Sequence, residues 1–451
     1  MKKIASILKN KEIMNRILFT VLILFIFRIG CQITVPGATI DQDELGKYLQ
    51  GNNALSLMNI LGGGTLQTFS IFALGVSPYI TAQIIVELLS TDVLPALSEL
   101  KRQGQYGRKK IDLATRYLTL MLGAVQAYGI IKTMETSSLV EFSTGTYPWL
   151  TYMYVVVVML AGSMIVMWLG DQISVKGIGN GISMIIFAGI VCSLPSQISN
   201  AFAKWVLDTQ GISDRAMITG VFEFLLYIFA FLLIVSFVTF IELSKRKIPV
   251  QHSGKGGGQT QSMARASFLP IKINSAGVIP VIFASSIMMA PSVVSAFLGE
   301  SSEGGWLNIF TASKLTYMGN GVYMPWGLII YVTLTIAFTF FYANIQINPQ
   351  QLAENFQKNG SYIPGVRPGN ETERYVRKVL NRVTFIGAMA LAAIAALPSI
   401  LTLTIFKDYP SLGLGGTGLI IVVGVALELN NQIDGLLAGK SFEEVVASGG
   451  R

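Results

Sequence analysis

The chain has 451 residues, of which 52% are apolar and only 13% charged, with a net charge of +8. A mean hydropathy of +0.57 over that length excludes a soluble globule and reads as an all-α polytopic membrane protein. Two cysteines and a single histidine leave no disulfide framework and no metal-ligand spacing, and no cofactor is expected.

A short basic segment, residues 1–16, leads into the first apolar run. Such runs occur at Ile17–Ile33, Phe69–Leu89, Leu113–Ile131, Trp149–Leu169, Gly181–Ile198, Ile218–Ile241, Ile273–Leu298, Tyr323–Ala343, Val383–Leu403 and Gly415–Leu429. They make ten candidate spans, the last at the short end of the spanning range. No small-residue cleavage site follows the first run, which passes into Thr34-Val35-Pro36-Gly37, so it is expected to remain as a span. Cys31 and Cys192 fall inside apolar runs and read as space-filling.

Between the first two runs lies Ala54–Leu66, apolar but far too short, at about a dozen residues, to cross roughly 30 Å of hydrocarbon. It ends near the hinge-like string Gly62-Gly63-Gly64. One reading is a re-entrant helix buried in protein or lining a water-filled cavity; the other is an interfacial helix lying flat on the outer surface.

Most of the 33 lysines and arginines sit on one set of loops. The opposite set holds only Lys47, Lys132, Lys204, Arg215, Lys314 and Lys407, and Arg28 alone falls inside a span. Both termini are therefore expected on the cytoplasmic side. That basic face suits anionic lipid heads, acidic protein surfaces or RNA phosphate. Its long loops, 242–272 and 344–382, are expected to carry contacts. The stretch Gln251–Gln259 is flexible by composition, a hairpin tip or finger. In Ile363-Pro364-Gly365-Val366-Arg367-Pro368-Gly369 two Pro-Gly pairs force turns around Arg367.

Gly75-Val76-Ser77-Pro78-Tyr79-Ile80 in the second run is echoed by Gly277-Val278-Ile279-Pro280-Val281-Ile282 in the seventh. A weaker echo joins Gly177-Ile178-Gly179-Asn180-Gly181-Ile182 to Gly413-Leu414-Gly415-Gly416-Thr417-Gly418-Leu419, before the fifth and tenth. Both offsets are five spans, an odd number, so the halves must enter the membrane from opposite sides. An inverted repeat of this kind puts a pathway at its interface. The plainer reading is that Gly and Pro are simply frequent in membrane helices. The expected division is residues 17–198 and 218–429 as the halves, an outer loop at 199–217 between them, and a cytoplasmic tail at 430–451.

No acidic pair lies near the centre of any span, as a proton- or cation-coupled transporter requires. Nor does the chain carry a Gly-x-Ser-x-Gly, a His-Glu-x-x-His or a phosphate-binding glycine loop, which argues against an enzyme. A pathway lined by Val and Ile is instead a hydrophobic constriction, closed to water and ions by dewetting.

The strings Ser70–Ile80, Gly177–Ser183, Gly277–Ser286 and Pro364–Gly369 together resemble the bacterial SecY family, channel subunits of the general protein-secretion translocon. The likeness runs from about Arg16 to Gln432, in matching order. It implies an hourglass channel for unfolded polypeptide in the bacterial plasma membrane, with ten spans in two inverted, pseudo-symmetric halves and a short re-entrant plug helix at 54–66. The implied pore collar is Val76, Ile80, Ile182, Ile186, Ile282 and Ile421. The plug would comprise Leu57, Met58, Ile60, Leu61, Gly62, Gly63 and Gly64, and a lateral gate would form along Thr81, Ala82, Ile85, Ser285, Ser286 and Met289. Lys245, Arg246, Lys247, His252, Lys255, Arg265, Arg367 and Arg374 would dock the SecA motor or the ribosome and its RNA, Arg367 matching the family's motor-critical arginine. Implied partners are the SecE and SecG subunits, the SecA ATPase, signal peptides and nascent polypeptides, anionic phospholipids, SecDF and YidC. Two departures stand out: the loop at Gly254–Gly258 is glycine-rich where relatives are more basic, and Val76 takes a place where isoleucine is common. A small-solute transporter on the same repeat and an intramembrane enzyme are the competing readings.

Overall fold

Helices that are apolar around most of their circumference bury one side on each other and give the rest to lipid. The exposed Phe222, Leu225, Phe229 and Phe240 along one such helix have that character. The computed structural model of the chain describes residues 10–40, 44–45, 58–59, 62–90, 95–136, 139–142, 148–207, 214–252, 267–298, 307–310, 316–317, 323–404 and 416–448.

Within them the ten apolar runs become ten helices. Span one is Lys11–Gly30, two Ser77–Leu89, three Gln105–Thr136, four Pro148–Lys176 and five Gly181–Phe202. Span six is Asp214–Leu243, seven Ile279–Leu298, eight Trp326–Gln346, nine Asn370–Thr404 and ten Gly416–Ser448. Seven of them contain stretches long and apolar enough to cross a membrane. Spans two and seven hold shorter apolar helices, and span three begins among Arg108, Lys109 and Lys110.

The short helices in spans two and seven differ from the expected runs, which start at Phe69 and Ile273. The backbone leaves helical geometry ahead of each because Gly75 and Gly277 take left-handed φ values of 54° and 66°, open to glycine at no steric cost. Irregular backbone at membrane depth must be satisfied by protein. Ser163 of span four donates to the Gly75 carbonyl at 3.1 Å, and Asn274 donates to that of Gly277 at 3.0 Å. Spans nine and ten are longer than their apolar runs, since charged but helix-compatible sequence continues each helix to one side.

Packing follows the repeat. In the first half, span one packs on four and five, two on three, three on four, and four on five. In the second half, span six packs on nine and ten, seven on eight, eight on nine, and nine on ten. Each neighbour pair of one half thus has its counterpart five spans later. The halves meet where span seven lies against two and three and where span five lies against ten.

Small sheets add to the helices. On the basic face, β3 (Lys245–His252) pairs antiparallel with β4 (Ser267–Lys272), Ile248 opposite Leu269, and on its other side with β7 (Ser361–Tyr362). Ile248, Ile271 and Ile363 pack on Val376, Leu380 and Val383 of span nine. On the opposite face β1 (Ala38–Ile40) pairs with β2 (Val140–Phe142), and β5 (Thr316–Tyr317) pairs with β6 (Tyr323–Met324).

Candidate pore at the junction of the halves

Spans two, five, seven and ten bring Val76, Ile80, Ile182, Ile186, Ile282 and Ile421 into one apolar cluster. Val76, Ile80, Ile186 and Ile421 are buried, and Ile182 and Ile282 half-buried. Local chemistry sets each helix in place. The Asn180 side chain caps span five by accepting from Ile182 N at 3.2 Å. Gly181 lets span five press on span four, since a methyl group there would lie 1.8 Å from the Gly170 carbonyl oxygen. The cluster is completed by residues such as Ile84, Ile185, Ile190, Phe283 and Val425. Branched apolar groups of this kind offer water and ions no ligands.

The glycine string within the short segment rests on span five, one of the helices of this cluster. Leu57, Ile60 and Leu61 lie outside the described residues, whereas Met58, Gly62 and Gly63 are buried. The chain folds back on itself there: Gly64 N donates to the Asn59 carbonyl at 2.8 Å, and the Asn59 side chain accepts from Leu66 N at 3.1 Å and Gln67 N at 3.0 Å. Gly63, at φ 77°, rests on the backbone of span five, where an added methyl group would meet Gly189 Cα at 2.7 Å. Gly189 is one helical turn beyond Ile186. The Nη1 of Arg28, at the end of span one, donates to the Gly63 carbonyl at 2.6 Å. Sequence reading noted Arg28 as the lone basic residue within a span but gave it no task; its position alone marked it, since a charge there seldom lacks a function.

Along the contact between spans two and seven, Ala82 is fully buried and Ile85 half-buried. The expected polar residues turn inward on their own helices: Thr81 donates to the Ser77 carbonyl at 3.0 Å, and Ser285 and Ser286 to that of Ile282 at 2.8 and 2.9 Å. Met289 belongs to span seven, but its side chain lies outside the described residues. The polar link across this seam is one that sequence reading missed. Tyr342 of span eight donates its hydroxyl to the Glu87 carboxylate of span two at 3.4 Å. The ring of Phe283 stands edge-on to Phe338 and Tyr342, centroids 5.8 and 5.7 Å apart.

On the basic face Lys245, Arg246 and Lys247 are exposed along β3, and Arg367 and Arg374 are exposed beyond β7. Strand β7 joins the two loops into one platform through Gln251–Tyr362 and His252–Ser361 pairing. Arg367 is held from behind: Thr372 Oγ1 donates to its carbonyl at 2.9 Å, and Val366 N to that of Ile363 at 3.0 Å. Lys255 and Arg265 lie outside the described residues, as does the side chain of His252.

The sequence model of the SecY family matches residues 70–430. The chain is 42% identical to the protein translocase subunit SecY of Streptococcus gordonii, over 98% of this chain and 97% of that one. It is 40% identical to that of Mycoplasma capricolum over 98% and 91%, and 39% identical to that of Bacillus subtilis over 98% and 98%. Its fold is similar to a solved structure described as "The structure of a protein conducting channel", with a TM-score of 0.65 at 19% identity over 94% of this chain and 92% of that one. A second, "Sec61 in the Canine ribosome-channel complex from the endoplasmic reticulum", gives 0.62 at 18% over 94% and 92%.

Proposed function

The chain belongs to the SecY family, and on that premise we propose that it forms a protein-conducting channel, passing unfolded secretory polypeptides across the bacterial plasma membrane and releasing membrane helices sideways into lipid. The observation that carries this reading is the convergence of Val76, Ile80, Ile182, Ile186, Ile282 and Ile421 in one apolar cluster where the halves meet. A collar of such side chains makes no fixed hydrogen bonds to a passing chain, so it admits many sequences while closing around each.

The remaining parts take roles around that collar. The segment 54–66 acts as a plug, and the seam of spans two and three against seven and eight acts as the gate for signal sequences, its halves hinging as rigid bodies. The platform carrying Lys245, Arg246, Lys247, Arg367 and Arg374 receives SecA or a ribosome. The termini are cytoplasmic, in keeping with the basic loops. SecE and SecG complete the complex; the driving force comes from the bound motor or ribosome and the membrane potential. The chain acts as a channel subunit rather than as an enzyme, in keeping with the absence of Gly-x-Ser-x-Gly, His-Glu-x-x-His and phosphate-binding glycine-loop motifs.

Reconstituted in vesicles with its companion subunits, SecA and ATP, the chain should take up a preprotein that bears a signal sequence. Substituting Ile282→Asn should relax the signal-sequence requirement. An Ile282→Asn variant that altered small-solute uptake and left signal-sequence stringency unchanged would favour a transporter instead.

A further inference from the structure

An arginine at membrane depth is costly and persists only with a specific partner or water access. Arg28 sits in the last turn of span one, where the helix dipole favours a cation. That explains why it is tolerated, not where it points. None of the ion pairs among the described residues involves it. Its Nη1 instead reaches 35 residues along the chain to the Gly63 carbonyl, at 2.6 Å, a short charge-assisted bond.

That carbonyl needs a donor. Helical geometry stops at Gly62, and carbonyls at a helix end have no partner within the helix. Gly63 also rests on the backbone of Gly189, so the turn contacts both a cation on span one and a glycine on span five. Immediately beyond it, Thr68 Oγ1 donates to the Cys31 carbonyl at 3.1 Å. The end of span one therefore ties the segment twice, on either side of Gly64, whose φ is 87°. The tie at Thr68 lies in the connection leading to span two. The tie at Gly63 lies on the part that must move if the plug leaves.

We propose that Arg28 is the positioning residue that latches the plug, its guanidinium holding the Gly63 carbonyl so that the glycine turn stays seated on Gly189 of span five. This rests on the channel reading above. Breaking one charge-assisted hydrogen bond shifts a two-state equilibrium roughly tenfold or more, so the latch sets how often the resting channel opens without a substrate.

The test uses the full chain with its companion subunits in proteoliposomes, comparing wild type, Arg28→Gln and Arg28→Lys, each also with residues 54–64 deleted. Resting ion flux and uptake of a preprotein with a defective signal sequence are read together. Arg28→Gln should raise resting flux roughly tenfold and admit the defective preprotein; Arg28→Lys, which keeps the charge but not the position of Nη1, should fall between. In the plug-deleted background Arg28→Gln should add nothing, which a general loss of packing would not reproduce. Wild-type flux in Arg28→Gln, or the same increment without the plug, overturns the latch. If Arg28→Gln does not accumulate, Arg28→Lys decides: raised flux supports the latch and wild-type flux overturns it. A wild-type chain that conducts no normal preprotein would overturn the channel reading itself, and the latch with it.

Discussion

Gly162 and Gly387 are counterparts in the two halves: a methyl group on Gly162 of span four would lie 2.0 Å from the Ile71 carbonyl oxygen, and one on Gly387 of span nine 2.3 Å from that of Ile273. Each of those carbonyls is four residues ahead of a left-handed glycine, Gly75 or Gly277. The same backbone-on-backbone contact thus supports the irregular lead-in to span two and to span seven. Because backbone cannot give way as a flexible side chain can, Gly162→Ala and Gly387→Ala should each destabilise the purified protein, by about 1–3 kcal/mol as overpacking does. Thermal unfolding in detergent checks this, and a neutral result at either position contradicts the shared role.

The lead-in glycines themselves separate conformation from contact. Nothing lies within 4 Å of a methyl group placed on Gly277, whereas one on Gly75 would meet Gly62 Cα at 3.3 Å. Gly277→Ala should cost about 1–2 kcal/mol for left-handed backbone alone, with Gly277→Asn milder. Gly75→Ala should carry that cost and also disturb the plug, so only it should raise resting ion flux.

Gly189→Ala sets helix propensity against the seat. Alanine favours the helix by about 1 kcal/mol, yet its methyl group would stand 3.0 Å from Gly63 N and Cα. Global stability should therefore change little while resting ion flux rises. Unchanged flux would mean that the glycine turn does not rest there.

Tyr331 in span eight is buried, and its hydroxyl has no hydrogen-bond partner among the described residues. A buried polar group without a partner costs about 1–3 kcal/mol. Tyr331→Phe should accordingly raise the unfolding temperature, and a drop would reveal a partner that the hydroxyl serves.

Arg367 is exposed and its carbonyl is fixed by Thr372. Arg367→Ala should leave the unfolding temperature within about 0.5 kcal/mol of wild type, as exposed substitutions do, and abolish SecA-driven uptake. Thr372→Ala, which frees the turn without touching the charge, should weaken uptake partially. Full uptake by Arg367→Ala would remove this arginine from the motor contact.

Much of this was legible in the chain itself. The paired Gly-Val-x-Pro strings pointed to an inverted repeat because the two lead-ins need the same left-handed glycine. Hydropathy located every span, yet it began spans two and seven too early: Phe69–Val76 and Ile273–Val278 lead into the helices as irregular backbone around a left-handed glycine. It also began spans three and nine too late, because Gln105–Asp112 and Asn370–Arg382 are helical but charged. The three-stranded sheet was not read. The pairing of β3 with β7 joins residues more than a hundred positions apart, and the signal in Lys245–His252 is brief and interrupted by Pro249. Arg28 was conspicuous by type, but its partner is a backbone carbonyl, which no side-chain pattern announces.

On the proposed function, a polypeptide passes through the apolar cluster of Val76, Ile80, Ile182, Ile186, Ile282 and Ile421. Cysteines placed singly at Ile80, Ile282 and Ile421 should each crosslink to a secretory chain stalled in mid-passage, because spans two, seven and ten bring these three residues into one apolar cluster. Absence of adducts at all three, with translocation of the unstalled chain intact, would contradict it.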